Sequence, residues 1–277
     1  MKYSGNLPST NVNITKTSPI KDITTLIAGS SLFIFVIYWT LGLAIDFAVK
    51  NLTPQQEKVL SLKAGEEFFS MKRDTGMSSV LQKTVDAIQN KCVQLPYKVN
   101  VFAIENKDVN AVALPGGTIL VFSGLLKKLN SENELTFILA HELGHFNNRD
   151  HLRGVGRAIV LMVLSSMILG ESSGIDEILT SFLAFSENSH SRGQESKADA
   201  KALEMVQCHY GHVGGSTDFF EEMLKAEEPS VFGHFLSTHP AYTQRITDIK
   251  NQIDRFGYKQ GKVISFKNDL TSIEKAE

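Results

Sequence analysis

The sequence predicts an α+β protein: a mainly helical domain carrying a small three-stranded sheet, preceded by one transmembrane helix. Three observations lead there. Short strand-like runs cluster between residues 98 and 122, apolar residues recur at helical spacing through most of the chain after Ser131, and an uncharged apolar run occupies residues 23–45. Strands that precede helices, rather than alternating with them, favour α+β over a doubly wound fold.

Taken in order, residues 1–22 are rich in Ser, Thr, Asn and Lys without an apolar period, and read as a disordered polar tail. Ile23–Ile45, bounded by Asp22 and Asp46, would span roughly 34 Å as a helix, enough to cross a bilayer and contact membrane lipid. Its long polar lead and the lack of an Ala-x-Ala site favour an uncleaved anchor over a signal peptide. Lys21 beside the membrane suggests a cytoplasmic N-terminus and a domain outside the cytoplasm, as in a single-pass protein of a bacterial-type inner membrane. Residues 52–256 are expected to form the folded domain and 257–277 a tail.

Within the domain, Thr53-Pro54 starts a helix running to Phe69, with proline in its first turn. Leu81, Val85, Ile88, Cys92 and Leu95 recur at helical intervals, which makes Cys92 a core thiol, with pairing to Cys208 open if the domain is exported. The three strands are Lys98–Ile104, Ala111–Leu114 and Thr118–Phe122, the last two joined by Pro115-Gly116-Gly117. Ser131-Glu132-Asn133-Glu134 reads as a capping box that opens a long helix. Ala158–Leu169 is too short to span a bilayer and reads as a buried helix, followed by a flexible hinge at residues 170–174. A net charge of −2 with no basic stripe argues against nucleic acid as a partner.

His141-Glu142-Leu143-Gly144-His145 carries the chemistry. On a helix His141 and His145 share a face and can bind one metal ion, while Glu142 can reach a water beside that metal as a general base. A catalytic zinc needs a third protein ligand, and two candidates compete. His151 has metzincin spacing, with Asn148 where those enzymes have glycine. Glu195 lies four residues before Asp199, so on a helix Glu195 could bind the metal while Asp199 accepts a hydrogen bond from a ligand histidine.

Four motifs occur together: His141-Glu142-x-x-His145, Ser191-Arg192-x-x-Glu195-x-x-Ala198-Asp199, Asn110-Ala111-x-x-x-Pro115-Gly116 and His239-Pro240-x-x-x-x-Arg245. In this order, over roughly residues 55–250, they resemble the gluzincin metallopeptidases that include HtpX and the CaaX prenyl proteases. The resemblance implies a zincin-like fold with one zinc ion held by His141, His145 and Glu195, and leaves His151 as a helix-end or surface residue. It implies that His239 donates to the oxyanion, with Arg245 supporting it or the substrate. Asn110 and Ala111 would lie on a strand edge that binds an extended peptide. The expected function is a membrane-anchored zinc endopeptidase acting on protein or peptide substrates, in quality control or maturation of membrane or envelope proteins. The alternative is a non-proteolytic adaptor or chaperone-like module, against which an intact Glu142 speaks.

Overall fold

The computed structural model describes residues 18–57, 71–154, 156, 190–226, 229–240 and 242–266. The expected lead at residues 1–17, the helix beyond residue 57, the 158–169 helix and the 170–174 hinge lie outside these residues. The chain forms two compact units, Met1–Ala44 and Ile45–Glu277.

Helix α1 runs over Pro19–Asn51 and is long and apolar enough to cross a membrane. It is longer than the apolar run at both ends, because a helix propagates through polar flanks once nucleated. Leu26, Phe33 and Trp39 are all exposed along it. The hydroxyls of Thr24, Thr25 and Thr40 donate to the carbonyls of Ile20, Lys21 and Val36 at 2.9, 2.7 and 2.9 Å. Its polar side chains there are thus satisfied within the helix, as a lipid environment requires.

In the second unit the sheet has four strands in the order β1-β2-β4-β3. They are β1 (Arg73–Asp74), β2 (Asn100–Ile104), β3 (Ala111–Leu114) and β4 (Thr118–Phe122). β2 and β4 are parallel, and β1 and β3 pair antiparallel on the two edges. The strand that the sequence did not reveal is β1, whose two residues carry no periodicity and are extended only because they pair with Ala103 and Ile104. Asp74 ends it and caps helix α2 (Thr75–Cys92), its carboxylate accepting from the Met77 N–H at 2.9 Å.

Val101, Ala103, Ile119 and Val121 share the main core with Leu81, Val85 and Ile88 of α2. The opposite face of the sheet, with Ile104, Leu114, Leu120 and Phe122, makes a second cluster. β4 is therefore buried along its whole length, as a strand covered on both faces must be. After α3 (Ser123–Leu126) come the long helices α4 (Glu132–Asn148) and α5 (Arg192–Tyr210), which pack closely together. Two short helices, α6 (Asp218–Lys225) and α7 (Gly233–Thr238), lead to α8 (Tyr242–Phe256).

Cys92 is not a free core thiol: it forms a disulfide with Cys208 across 116 residues, tying the end of α2 to α5. Helical spacing shows only that Cys92 faces inward, whereas packing of α2 on α5 supplies its partner. Closing so long a loop restricts the unfolded chain and contributes about 2–4 kcal/mol. Of the expected 257–277 tail, the segment up to residue 266 is described and crosses the start of α4. The Glu132 N–H donates to Ile264 O at 2.9 Å, the Ile264 N–H to Asn133 Oδ1 at 2.8 Å, and Ser265 bridges to Ser131.

The crossing of α4 and α5 is closest at Gly144. A Cβ there would lie 2.9 Å from Ala198 O and 3.1 Å from Ala198 Cα, both backbone atoms that cannot turn aside. Gly144→Ala is expected to lower stability by about 1–3 kcal/mol through overpacking and to reduce metal retention together with it. Chemical denaturation and metal content measure the two effects, and parent values for both would remove the role assigned to this contact.

Candidate metal centre

Helix α4 starts where Ser131 Oγ accepts from the Glu134 N–H at 3.2 Å. The Glu134 carboxylate reaches back to the Asn130 N–H at 3.1 Å. The first of these bonds satisfies an amide that the first turn leaves unpaired, and the second ties down the residue before the cap. The helix ends at Arg149, whose left-handed φ of 57° turns the chain. Three turns below its start, His141, Glu142 and His145 are buried within the unit. Helix α5 opens with a full capping box between Ser191 and Gln194, which places Glu195 in its first turn and Asp199 one turn later.

The two helices bring three donor residues together, and His239 adds a fourth. His141 Nε2 and His145 Nε2 are 3.0 Å apart, and Glu195 oxygens lie 3.5 and 3.3 Å from them. His239, just after α7, places Nδ1 at 3.2 Å from Glu195 Oε2 and 3.4 Å from His141 Nε2. All four residues are buried, and their ligand atoms lie within 4.8 Å of one another.

The other nitrogens of the two α4 histidines face carboxylates. His141 Nδ1 is 2.9 Å from Asp199 Oδ1, and His145 Nδ1 is 3.0 Å from Asp150 Oδ2. Each carboxylate is placed to hold a proton on Nδ1, so that a bound metal ion would meet the Nε2 lone pairs of both histidines beside the Glu195 carboxylate. Two imidazoles and a carboxylate converging in this way suit a cation. Their spacings fit one, since tetrahedral bonds of roughly 2.0–2.1 Å put ligand atoms about 3.3 Å apart. The residues fit a metal ion.

Charges around the cluster are strongly coupled. Burial raises the Glu195 pKa, but His239, Arg245 and His141 overcome this and hold it well below the usual carboxylate range. Burial disfavours a charged His145, yet hydrogen bonds to Asp150 and Glu195 push it up to about 10. Arg245 donates to both Asp199 oxygens, at 2.8 and 2.7 Å. Its Nη1 also lies 2.7 Å from Glu195 Oε2, as a charge contact not aligned for a hydrogen bond. The guanidinium further stacks on Phe220, 4.5 Å from the ring centre.

The residues singled out in the sequence occupy distinct places. Asn110 is buried beside β3, on the edge of the sheet, and its Oδ1 accepts from Thr238 Oγ1 at 3.3 Å, next to His239. Its Nδ2 has no hydrogen-bond partner. Ala111 is the first residue of β3. Arg245 grips the carboxylates of α5, and the contacts described for it do not include His239. His151 is not a surface residue: it is buried, and its Nε2 lies 2.7 Å from Glu57 Oε1.

Two residues escaped the sequence reading. Asp150 follows His145 by five positions, which is no helical spacing, and only the left-handed turn at Arg149 returns it to His145. His190 stacks on His145 with ring centres 3.9 Å apart. It lies outside every motif, so nothing in the sequence marks it.

The α+β frame, the paired histidines with a carboxylate from a second helix, and Glu142 beside them define a metallopeptidase site. The model of peptidase family M48 matches residues 72–253, and the chain belongs to that family. Metalloprotease LoiP of Escherichia coli is 26% identical over 224 residues, covering 77% of this chain and 86% of that protein. The bovine mitochondrial metalloendopeptidase OMA1 is 30% identical over 165 residues, covering 52% of this chain but 30% of its own length. The β-barrel assembly-enhancing protease of E. coli is 27% identical, covering 56% of this chain and 34% of its own length. The chain thus spans about a third of the length of the last two.

Asp150→Ala should weaken metal binding about 10- to 100-fold, because His145 loses the partner that sets its tautomer and orientation. Chelator competition measures this, and an unchanged affinity would show that Asp150 serves only the chain turn.

Proposed function

We propose that this chain is a membrane-anchored zinc metalloendopeptidase, with His141, His145 and Glu195 holding one zinc ion and Glu142 as general base. The observation that carries this reading is Glu142 itself. It is buried against the donor cluster, and its Oε1 has no hydrogen-bond partner. The charge contact of this oxygen with His239 Nε2, at 3.7 Å, is too long for a hydrogen bond, so the oxygen is available to take a proton. Zinc, when bound, polarises a peptide carbonyl and makes a nearby water more acidic. Glu142 then accepts the proton of the attacking water and delivers it to the leaving amine.

His239 receives a different reading from the oxyanion donor that its motif suggested. With Nδ1 at 3.2–3.4 Å from the Glu195 and His141 donors, it is proposed to fill the fourth corner of the site in this conformation. A catalytic site must open that corner to water. Moving His239 away would therefore expose the site, and its place at the end of the six-residue helix α7 makes a local movement sufficient. Arg245 is proposed to neutralise and fix the α5 carboxylates rather than to touch substrate.

An extended peptide is proposed to add to the free edge of β3, with Asn110 Nδ2 as a donor to its backbone. Main-chain pairing of this kind tolerates many sequences. That suits quality control or maturation of membrane and envelope proteins, in keeping with relatives named as a mitochondrial endopeptidase and a β-barrel assembly-enhancing protease. The disulfide supports placing the domain on an oxidising, extracytoplasmic side, since such bonds persist there. Within family M48 the likeness to HtpX and the CaaX prenyl proteases is retained only at the level of the shared motifs.

Glu142→Gln should keep zinc and fold while cleavage of an unstructured protein falls at least about 100-fold, because an amide cannot accept the proton. Zinc-loaded Glu142→Gln protein that cleaves at the parent rate would remove the general-base role, whereas a zinc-loaded parent that binds but cleaves no peptide would favour the adaptor reading. His239→Ala should retain most of its zinc through the three remaining ligands and cleave faster than the parent. A fall of about 100- to 1,000-fold in turnover with zinc retained would instead restore the oxyanion role.

A further inference from the structure

Past the second histidine, the chain from Arg149 to Arg153 is gripped by residues far away in sequence. Arg149 Nη1 donates to the carbonyls of Val49 and Leu52 at 2.6 and 3.1 Å. These belong to the end of α1 and the turn after it, where helical carbonyls lack partners. His151 meets the buried Glu57, whose Oε1 also accepts from Tyr97 Oη at 2.6 Å and from the Gly116 N–H at 3.1 Å. Arg153 Nε donates to Asp46 Oδ1 at 3.0 Å, and its Nη1 lies 3.2 Å from Asp150 Oδ1. Asp150 in turn faces His145.

We infer that residues 46–57 form a positioning arm for the metal centre, which orients His145 through the chain Asp46–Arg153–Asp150. The arm and the segment it holds lie in the same compact unit, and the arm precedes the family match, which begins at residue 72. Every second residue from Arg149 to Arg153 points to it, while Asp150, between them, points to the ligand. This alternation follows from the sharp turn at Arg149. A non-glycine residue in the left-handed region is held there by its surroundings, and the carbonyls at the end of α1 supply the hold. Arg153 is the joint: its fork spans an arm carboxylate and the carboxylate beside His145, which a point charge on a flexible stem would not do.

Glu57 fixes the other end. A carboxylate buried this deeply is stable only when its oxygens are paired. Burial raises its pKa, but His151, Tyr97 and the Gly116 amide hold it below the usual carboxylate range. Through Gly116 the arm also reaches the turn that follows β3, the strand whose edge is proposed to receive substrate. One short segment is thus bonded to both walls of the site.

The inference rests on the reading of His145 as a metal ligand, so the test carries one readout that needs the metal and one that does not. Full-length protein in detergent is prepared as the parent and as Asp46→Ala, Arg153→Ala, Asp46→Asn and the double variant Asp46→Ala/Arg153→Ala. Zinc retention against a chelator is measured on each, and hydrogen exchange of the 149–153 amides is measured on metal-free protein. Asp46→Ala and Arg153→Ala should each lose zinc about 3- to 10-fold more readily, at the lower edge of effects seen for groups behind a ligand. Their thermal midpoints should stay near the parent value. The double variant should be no worse than Arg153→Ala alone, because both act through one chain. Asp46→Asn keeps the oxygen that Arg153 uses and should behave close to the parent. Faster exchange in residues 149–153 of both alanine variants completes the expected result. Parent-like zinc retention and exchange in Asp46→Ala would overturn the arm. If the parent binds no zinc, the metal reading fails by itself and exchange alone decides the arm.

Discussion

The contact on which the rest of this molecule depends is the close crossing of α4 and α5, where Gly144 lies against the Ala198 backbone. Neither residue takes part in chemistry. Their smallness sets how near two helices can come, and each helix carries a residue of the site one position away: the donor His145 next to Gly144, and Asp199, which holds His141, next to Ala198. A side chain at Gly144 would press on the Ala198 backbone and push the imidazoles of α4 away from the carboxylates of α5. Packing in this interior is close enough that such a displacement cannot be absorbed elsewhere.

Bringing those groups together creates an electrostatic problem that shapes the surrounding shell. Glu142, Glu195, Asp199 and Asp150 are buried within one neighbourhood with three histidines and Arg245. Buried charges of one sign repel strongly and lose their hydration. Arg245 offsets two of the carboxylates, Asp150 and Asp199 are turned onto histidine nitrogens, and the remaining acceptors face one another across the space a cation would fill. Glu142 differs from these in that its Oε1 is buried without a hydrogen bond, with His239 Nε2 3.7 Å away. It is the carboxylate proposed to transfer the proton.

Much of this was legible in the sequence because it is local. The H-E-x-x-H spacing places its histidines on one helix face whatever the rest of the protein does, and Ser131 announces where their helix begins. The Glu195–Asp199 pair was readable for the same reason. Asp150 was not, since its route to His145 passes through a left-handed turn that periodicity does not encode. His190 carries no local signal at all, and β1 is too short to have a pattern. The Cys92–Cys208 bond was left open because two cysteines can pair only if the fold brings their helices together. The use of His239 depends on where α7 sets it down, so its motif named the residue without naming its work.

The sequence by itself determined most of the elements, the histidine and carboxylate spacing that suits a metal ion, and the apolar helix, because each rests on the spacing of residues along one segment. Only the tertiary structure decided which carboxylate stands behind which histidine and that Arg245 grips α5. It likewise put His239 among the donors and bonded the end of α1 to the turn after α4. These are contacts between segments distant in the chain, set by packing of one helix on another, and no local rule of spacing contains them.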